Sequence, residues 1–148
     1  MTLINSPNPV RCLTDEHLLA EHREIKRLPF CLQQAIKSGS INRIPYKFTL
    51  GKGHVLFFLD KMLFCVRRYN EIDIELSKRG FTLTDFAKNW ENVPYKYTND
   101  YVVTDEERKL LIERITERIN NSTKKHWHYY GKEISKSEAI DLLNSEIQ

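Results

Sequence analysis

A single carboxylate between two arginines is the first feature of this sequence that could do chemistry. Glu24 stands between Arg23 and Arg27, on a face of a predicted helix that the hydrophobic residues leave free. A carboxylate in such a position can act as a general acid or base. The simpler interpretation is a solvated helix face with an i, i+3 ion pair, which is common and contributes roughly 0.2–0.5 kcal/mol. On residue types alone, the simpler interpretation is favoured.

The helix that carries Glu24 is predicted to begin at Thr14 and to run to about Lys37. Thr14 is a favourable N-cap, and acidic residues in the first turn complement the helix dipole. Pro29 is expected to bend this helix, and Gly39 to end it. The predicted buried face consists of Leu18, Ile25, Leu32 and Ile36, and the opposite face of Glu16, Ala20, Arg23, Glu24, Arg27 and Cys31.

Positive charge is unevenly placed along the chain. The formal net charge is only +3. Between Ile25 and Leu59 there is no acidic residue, and this stretch carries Lys26, Arg27, Lys37, Arg43, Lys47 and Lys52. A one-sided positive field suits a polyanion such as DNA. A basic surface that is merely solvated is an equally good interpretation of the charges alone.

A second acid-free stretch, from Arg118 to Lys132, combines cations with aromatic rings. Its cations are Arg118, Lys124, Lys125 and Lys132, and its rings include Trp127, Tyr129 and Tyr130. These rings could belong to the core. Flanked by lysines and histidines, they also suit stacking on bases or sugars, which contributes about 1–3 kcal/mol per base.

The sequence predicts neither a metal site nor a cofactor. His126 and His128 have a spacing found in metal sites, but no further set of ligands completes it. The segment 51–54 lacks the flanking strand and the ending of a phosphate-binding loop. Three cysteines at scattered positions are expected to be reduced thiols of an intracellular, cytoplasmic protein, and Cys31 and Cys65, among apolar neighbours on helices, are expected to be inert.

The predicted fold class is all-α, a single domain of about three main helices packed around one core. The chain has 148 residues, of which 41% are hydrophobic, enough for one core. After an extended N-terminal arm with two prolines, helices are predicted from Thr14, from His54 to Arg79, from Thr104 through Ile119, and in a short segment capped by Ser137 that runs through Ile147. No segment alternates as a strand would, no apolar run has membrane length, and no signal peptide is visible.

Several short motifs, taken together and in order, resemble the pyrimidine-dimer DNA glycosylases. They are Met1-Thr2-x-Ile4-Asn5, Asp15-x-His17-Leu18-x-Ala20-Glu21-x-Arg23-Glu24 with Arg27, Leu50-Gly51-x-Gly53-His54-Val55-x-Phe57-Phe58, Lys78-Arg79-Gly80-Phe81 and Tyr129-Tyr130-Gly131-Lys132. The resemblance covers residues 1–132, which we expect to form a glycosylase-like domain. It leaves residues 133–148 as a C-terminal extension that could form a short helix.

The resemblance implies a repair enzyme that acts as a monomer on double-stranded DNA containing UV-induced pyrimidine dimers, without a cofactor. The α-amine of Thr2, freed by removal of the initiator methionine, would attack the sugar and form an imine. Glu24, lying beside the threaded N-terminal arm, would transfer protons so that β-elimination nicks the strand. The residues implied to contact DNA are Arg23, Arg27, His17, Glu16, Lys26, Arg114, Arg118, Lys125, Trp127, Tyr129 and Tyr130.

Four side chains depart from the pattern of that family. Leu3 replaces a common arginine, Glu16 replaces a usual glutamine, and His22 and Lys26 replace a tyrosine and a proline. These departures bear on substrate range and affinity more than on the type of reaction. Two alternatives stay open: an amine lyase acting on abasic sites or other damaged bases, and a non-catalytic helical DNA-binding protein.

Overall fold

The computed structural model describes residues 8–145, and helices dominate the architecture. The α-helices are α1 (Asp15–Ile25), α2 (Leu28–Ser38), α3 (His54–Phe58), α4 (Met62–Lys78), α5 (Asp105–Asn121) and α6 (Lys136–Asn144), and the strands are β1 (His126–Tyr129) and β2 (Lys132–Ser135). The predicted all-α class is confirmed, with one small hairpin added to it. Within the described range, no helix combines the length and the hydropathy needed to cross a membrane.

The predicted helix 14–37 is two helices, α1 and α2, separated by Lys26 and Arg27. Pro29 lies in the first turn of α2, where a proline costs no hydrogen bond, so it starts a second helix instead of bending a long one. The buried positions keep the same spacing across the break, with Leu32 and then Ala35 buried in α2. Ile36, which we expected in the core, lies next to the buried Ala35 and is 40% exposed.

The predicted helix 54–79 is likewise divided, into α3 and α4. The chain breaks at Lys61, whose φ of −121° and ψ of 44° are not helical. The Nζ of Lys61 donates to the main-chain oxygen of Phe57 at 2.7 Å and so satisfies a carbonyl group at the end of α3. Two predicted N-caps are confirmed: Thr14 caps α1, and Thr104 forms a capping box with Glu107 at the start of α5.

A two-stranded antiparallel hairpin follows α5, where we predicted no strand. The two strands are joined by Tyr130 and Gly131, whose φ angles are 53° and 76°. Positive φ at both positions of a two-residue loop matches the natural twist of the strands. A tyrosine with positive φ is uncommon, and strands of four residues are too short for a clear alternation, so the sequence carried little signal for this hairpin.

Helix α6 packs against α5 and closes the described part of the chain. Its N-cap is Ser135, in a capping box with Glu138, and not the predicted Ser137. The helix ends at Asn144, earlier than the predicted Ile147, which lies outside the described residues. Nonpolar side chains of α6 join a core to which all six helices and β1 contribute, including Leu18, Ile25, Leu28, Leu32, Phe57, Phe58, Met62, Tyr69, Ile72, Leu76, Ile115, Ile119, Trp127, Ala139 and Leu143.

Arg68, buried in this core, ties α1 and the N-terminal segment to α4. Its Nε and Nη2 donate to the two carboxylate oxygens of Glu21 at 2.7 and 2.9 Å. Its Nη1 donates to the main-chain oxygen of Asn8 at 2.7 Å. The side chains of Arg68 and Glu21 are 3% and 0% exposed, so neither charge could be hydrated if the other were removed.

Arg79, at the C-terminal end of α4, holds the chain just before α1. Its guanidinium group donates to the main-chain oxygens of Val10 and Leu13 and to the carboxylates of Asp15 and Glu75, over distances of 2.8–3.2 Å. The described part of the N-terminal arm is therefore not a loose extended strand. It contains a 3-10 helix, from residue 10 to residue 12, that lies against α4.

We expect Arg68→Met to lower the free energy of unfolding by about 3–5 kcal/mol, because the carboxylate of Glu21 would stay buried without a partner. Glu21→Leu should cost a similar amount, and the double variant should cost less than the sum of the two single changes. Arg67→Ala is the matched control, since Arg67 pairs with Asp100 at an exposed site and should contribute less than about 1 kcal/mol.

Urea unfolding of the four variants, followed by circular dichroism, measures these differences. An Arg68→Met protein as stable as the Arg67→Ala protein would show that the buried pair does not hold α1 in place.

Candidate functional site

Glu24 lies near the C-terminal end of α1, beside both of its expected partners. Its side chain is 19% exposed, and its Oε2 lies 3.9 Å from Nη1 of Arg27, whose side chain is 60% exposed. Arg23 is exposed and forms no ion pair with any of residues 8–145. Among the described residues this half-buried carboxylate makes one long ion pair, which leaves it lone pairs for a ligand, and the two arginines can bind phosphate groups.

A polar layer beneath this surface joins α1 to α4. His22 is buried, stacks on Tyr69 with ring centroids 5.9 Å apart, and places Nε2 3.7 Å from Oδ1 of Asp73. Burial lowers the pKa of His22, and the charge of Lys26 lowers it further, against the opposing effect of Asp73. Lys26 itself, which the resemblance places at DNA, lies with Nζ 4.4 Å from the centre of the Phe86 ring. It therefore links α1 to the loop after α4.

Glu16, which the resemblance also places at DNA, makes its contacts within the protein. Its Oε2 accepts the main-chain N–H of His128 at 3.0 Å, and its Oε1 accepts from Nδ1 of the same residue at 2.6 Å. The Nζ of Lys124 lies 3.3 Å from Oε1. Burial would raise the pKa of Glu16, but the hydrogen bonds from His128 and the charge of Lys124 outweigh burial and hold the pKa below its usual value.

Asp15, the residue before Glu16, binds the turn of the hairpin. Its Oδ1 accepts the N–H of Tyr130 at 3.1 Å, and its Oδ2 accepts the N–H of Gly131 at 2.9 Å. These bonds offset the strain of the left-handed conformation at Tyr130, which costs on the order of 1–3 kcal/mol for a residue other than glycine. The acidic first turn of α1 thus holds the hairpin as well as complementing the helix dipole.

Helices α1 and α5 and the loop that leads from α5 into β1 together form a cationic face. Burial lowers the pKa of His17 to about 4; Glu16 raises it, while the charges of Arg118 and Lys124 lower it further. Burial also lowers the pKa of Arg118, as does Arg114 one turn earlier. We call this surface the cationic face and define it by Arg114, Arg118, Lys124 and Lys125, with His17 as a neutral member at pH 7.

The aromatic residues of the hairpin mostly serve the protein itself. Trp127, which we expected to stack on DNA, is 4% exposed and lies in the core, so its ring has no face free for a base. The rings of Tyr129 and Tyr130 lie 4.7 and 4.9 Å from the guanidinium carbon of Arg79. The hydroxyl of Tyr130 donates to Glu75 at 2.8 Å. These two tyrosines therefore cover the buried guanidinium group.

In the described part of the chain, no group of three or more His, Cys, Asp or Glu side chains is arranged to hold a metal ion. Nδ1 of His126 instead lies 2.8 Å from Oε1 of Glu133 on the opposite strand. The cysteines are free, and burial raises the pKa values of Cys31 and Cys65. These two thiols are therefore protonated at neutral pH and are poor nucleophiles.

The expected nucleophile Thr2 lies outside the described range of 8–145, as does Leu3, one of the departures from the family pattern. Sequence reasoning missed the buried charges that position α1. The most important of these are Glu21 and Arg68. Arg68 interrupts the apolar stripe of α4, and a charge in such a stripe signals a buried partner. Arg79 is part of a quoted motif and the last residue of a predicted helix, and neither feature indicated its buried contacts with residues 10–15.

We expect the free energy of unfolding to rise between pH 4 and pH 6.5, in part because of His17. The folded protein binds the proton of this ring with a pKa of about 4, against 6.5 for the ordinary group, so the unfolded chain carries more protons in this window. His17→Gln should reduce the slope of stability against pH. Urea unfolding at four pH values measures that slope, and an NMR titration in which the His17 ring ionises near pH 6.5 would contradict the expectation.

A comparison with known protein families bears on this site. A family model described as pyrimidine dimer DNA glycosylase matches residues 1–89, which is more than half of the chain. The matched part includes α1 with Glu24 and its two arginines, and α4 with both buried guanidinium groups.

Proposed function

Since the chain belongs to the pyrimidine dimer DNA glycosylase family, we propose that it excises UV-induced cyclobutane pyrimidine dimers and then nicks the strand as an abasic-site lyase. The substrate is double-stranded DNA. Base removal and strand cleavage share one covalent intermediate, an imine between the protein and the sugar. This mechanism requires an amine and a proton-transferring group at the same place.

The observation that best supports such a site is the anchoring of Asn8 beside α1. The main-chain oxygen of Asn8 accepts from Arg68, which is bound to Glu21, one turn before Glu24. Thr2 lies six residues before Asn8 in the sequence. Because six residues can span up to about 20 Å, the chain before Asn8 is long enough to bring the α-amine of Thr2 to the same sugar as the carboxylate of Glu24.

An α-amine is the group best suited to this attack at neutral pH. In peptides its pKa is about 7.7–8.0, against about 10.4 for a lysine side chain, so a fraction roughly hundreds-fold larger is unprotonated at pH 7. The nitrogen forms a bond to C1′ of the 5′ nucleotide of the dimer while the bond from C1′ to the base breaks. Loss of a proton from nitrogen and opening of the sugar ring then give the imine.

Glu24 is the group that moves protons in these steps. It assists the opening of the sugar ring and afterwards takes the proton from C2′. The electron pair of that C–H bond forms a double bond, and the 3′ phosphate leaves, which nicks the strand. Arg23 and Arg27 bind the phosphate groups beside the lesion, and the cationic face binds the flanking duplex.

We expect Glu24→Gln to slow nicking of dimer-containing DNA by at least roughly a hundredfold, the usual contribution of a general acid or base. Binding should not weaken, because the change removes one negative charge near phosphate groups. Single-turnover cleavage and fluorescence anisotropy on the same duplex measure the two effects. Glu113→Gln, at an exposed carboxylate on α5, is the matched control. A Glu24→Gln protein that nicks at the rate of the control would end this assignment.

We expect sodium borohydride, added during turnover, to trap a covalent adduct between the protein and DNA, and peptide mapping to place it on residue 2. Thr2→Ala should keep most of the activity, because the side chain is not the attacking group. Acetylation of the amine, or a retained methionine that shifts it by about 3.5 Å, should suppress base release and nicking together. An adduct on an internal lysine, with full activity after acetylation, would refute the mechanism.

A further inference from the structure

The carboxylate of Glu16 is the contact between α1 and the cationic start of the hairpin. One oxygen binds the main chain of His128, the other binds its ring, and Lys124 lies beside that second oxygen, as described above. Because an ionised carboxylate only accepts hydrogen bonds, Nδ1 must be the ring nitrogen that carries a proton. The contact thus exists whether or not the second ring nitrogen is protonated.

Both the side chain and the main chain of Lys124 make contacts that position it. Its Nζ lies 3.3 Å from Glu16 and 5.7 Å from the centre of the Trp127 ring, which is itself buried in the core. The main-chain N–H of Lys124 also donates to the Ser122 hydroxyl at 3.1 Å, just after the end of α5. Glu16 is therefore the group on α1 that determines where this lysine lies relative to His17 and Arg118.

Simple electrostatics predicts the opposite role for Glu16. A carboxylate on a face that meets phosphate groups repels them, so its removal should strengthen DNA binding. Here the carboxylate lies between a lysine and a histidine that donates to it, and its side chain is 27% exposed. The neighbouring Lys124 offsets the negative charge of Glu16, and the hydrogen bonds of Glu16 join α1 to the hairpin.

We propose that Glu16 is a positioning residue for DNA binding, which holds His128 and Lys124 so that the hairpin contributes to the cationic face, and that it does not itself contact DNA. The inference rests on the proposed function for its partner, DNA, but the contact itself can be tested without DNA. His128 is the residue of the hairpin that completes this contact.

Two substitutions at Glu16 separate its charge from its geometry. Glu16→Gln and Glu16→Ala both remove one negative charge, but only Gln keeps an oxygen that can accept the main-chain N–H of His128. His128→Ala, alone and combined with Glu16→Ala, completes a double-mutant cycle. The measurements are amide hydrogen exchange of the hairpin, and the Kd for a short undamaged duplex at one fixed salt concentration.

We expect Glu16→Ala to speed exchange of the His128 amide and to weaken DNA binding by about threefold or more, the loss of one charge-assisted hydrogen bond. Glu16→Gln should keep the amide protected and bind DNA at least as well as the wild type. Adding His128→Ala to Glu16→Ala should change the Kd by less than about twofold.

Equal tightening of DNA binding by Gln and Ala, with His128 exchange unchanged in both, would overturn the proposal, because Glu16 would then act only as a surface charge. Failure of the wild-type protein to bind any duplex would refute the proposed function. In that case the contact between α1 and the hairpin would still be established if the His128 amide exchanged fast in Glu16→Ala and slowly in Glu16→Gln.

Discussion

Two buried guanidinium groups determine where α1 and the N-terminal segment lie. A guanidinium group cannot lose its charge and presents its donors in one fixed plane, so its burial is stable only when carboxylates and carbonyl groups accept from it in fixed positions. Arg68 finds Glu21 and Arg79 finds Asp15, and both also bind main-chain oxygens of residues 8–13. Residues 8–13 are therefore held by their backbone, at sites that allow little variation in position.

This constraint divides α1 into an inner face and an outer face. The inner face carries Glu21 and Asp15. The carboxylate oxygens of these two residues all accept hydrogen bonds, from the buried arginines or from the hairpin turn. The outer face carries Arg23, which is exposed, and Glu24, which makes one long ion pair, to Arg27, among residues 8–145. Under the proposed function, stability and chemistry depend on different side chains of one helix. We expect a substitution on the outer face to change the reaction without loosening the fold.

Features set by nearby residues could be predicted from the sequence, and features set by distant partners could not. The cap of α1 at Thr14 and the closeness of Glu24 to Arg27 involve residues three apart, so helical spacing alone indicates them. The role of Glu16 depends on a residue 112 positions later in the chain. The hairpin likewise depends on Asp15, which binds its turn from 116 positions away. Whether Pro29 bends a helix or starts a new one also depends on packing beyond its neighbours.

The most direct measurement of the central claim uses purified protein and two duplexes of the same sequence, one undamaged and one with a single cyclobutane pyrimidine dimer. Denaturing electrophoresis of the end-labelled strand shows whether and where it is cut. The account predicts a single nick at the dimer, with a 3′ end that carries the unsaturated sugar left by β-elimination, and no nick in the undamaged duplex. Equal cutting of both duplexes, or tight binding to the dimer with no cutting at all, would contradict it.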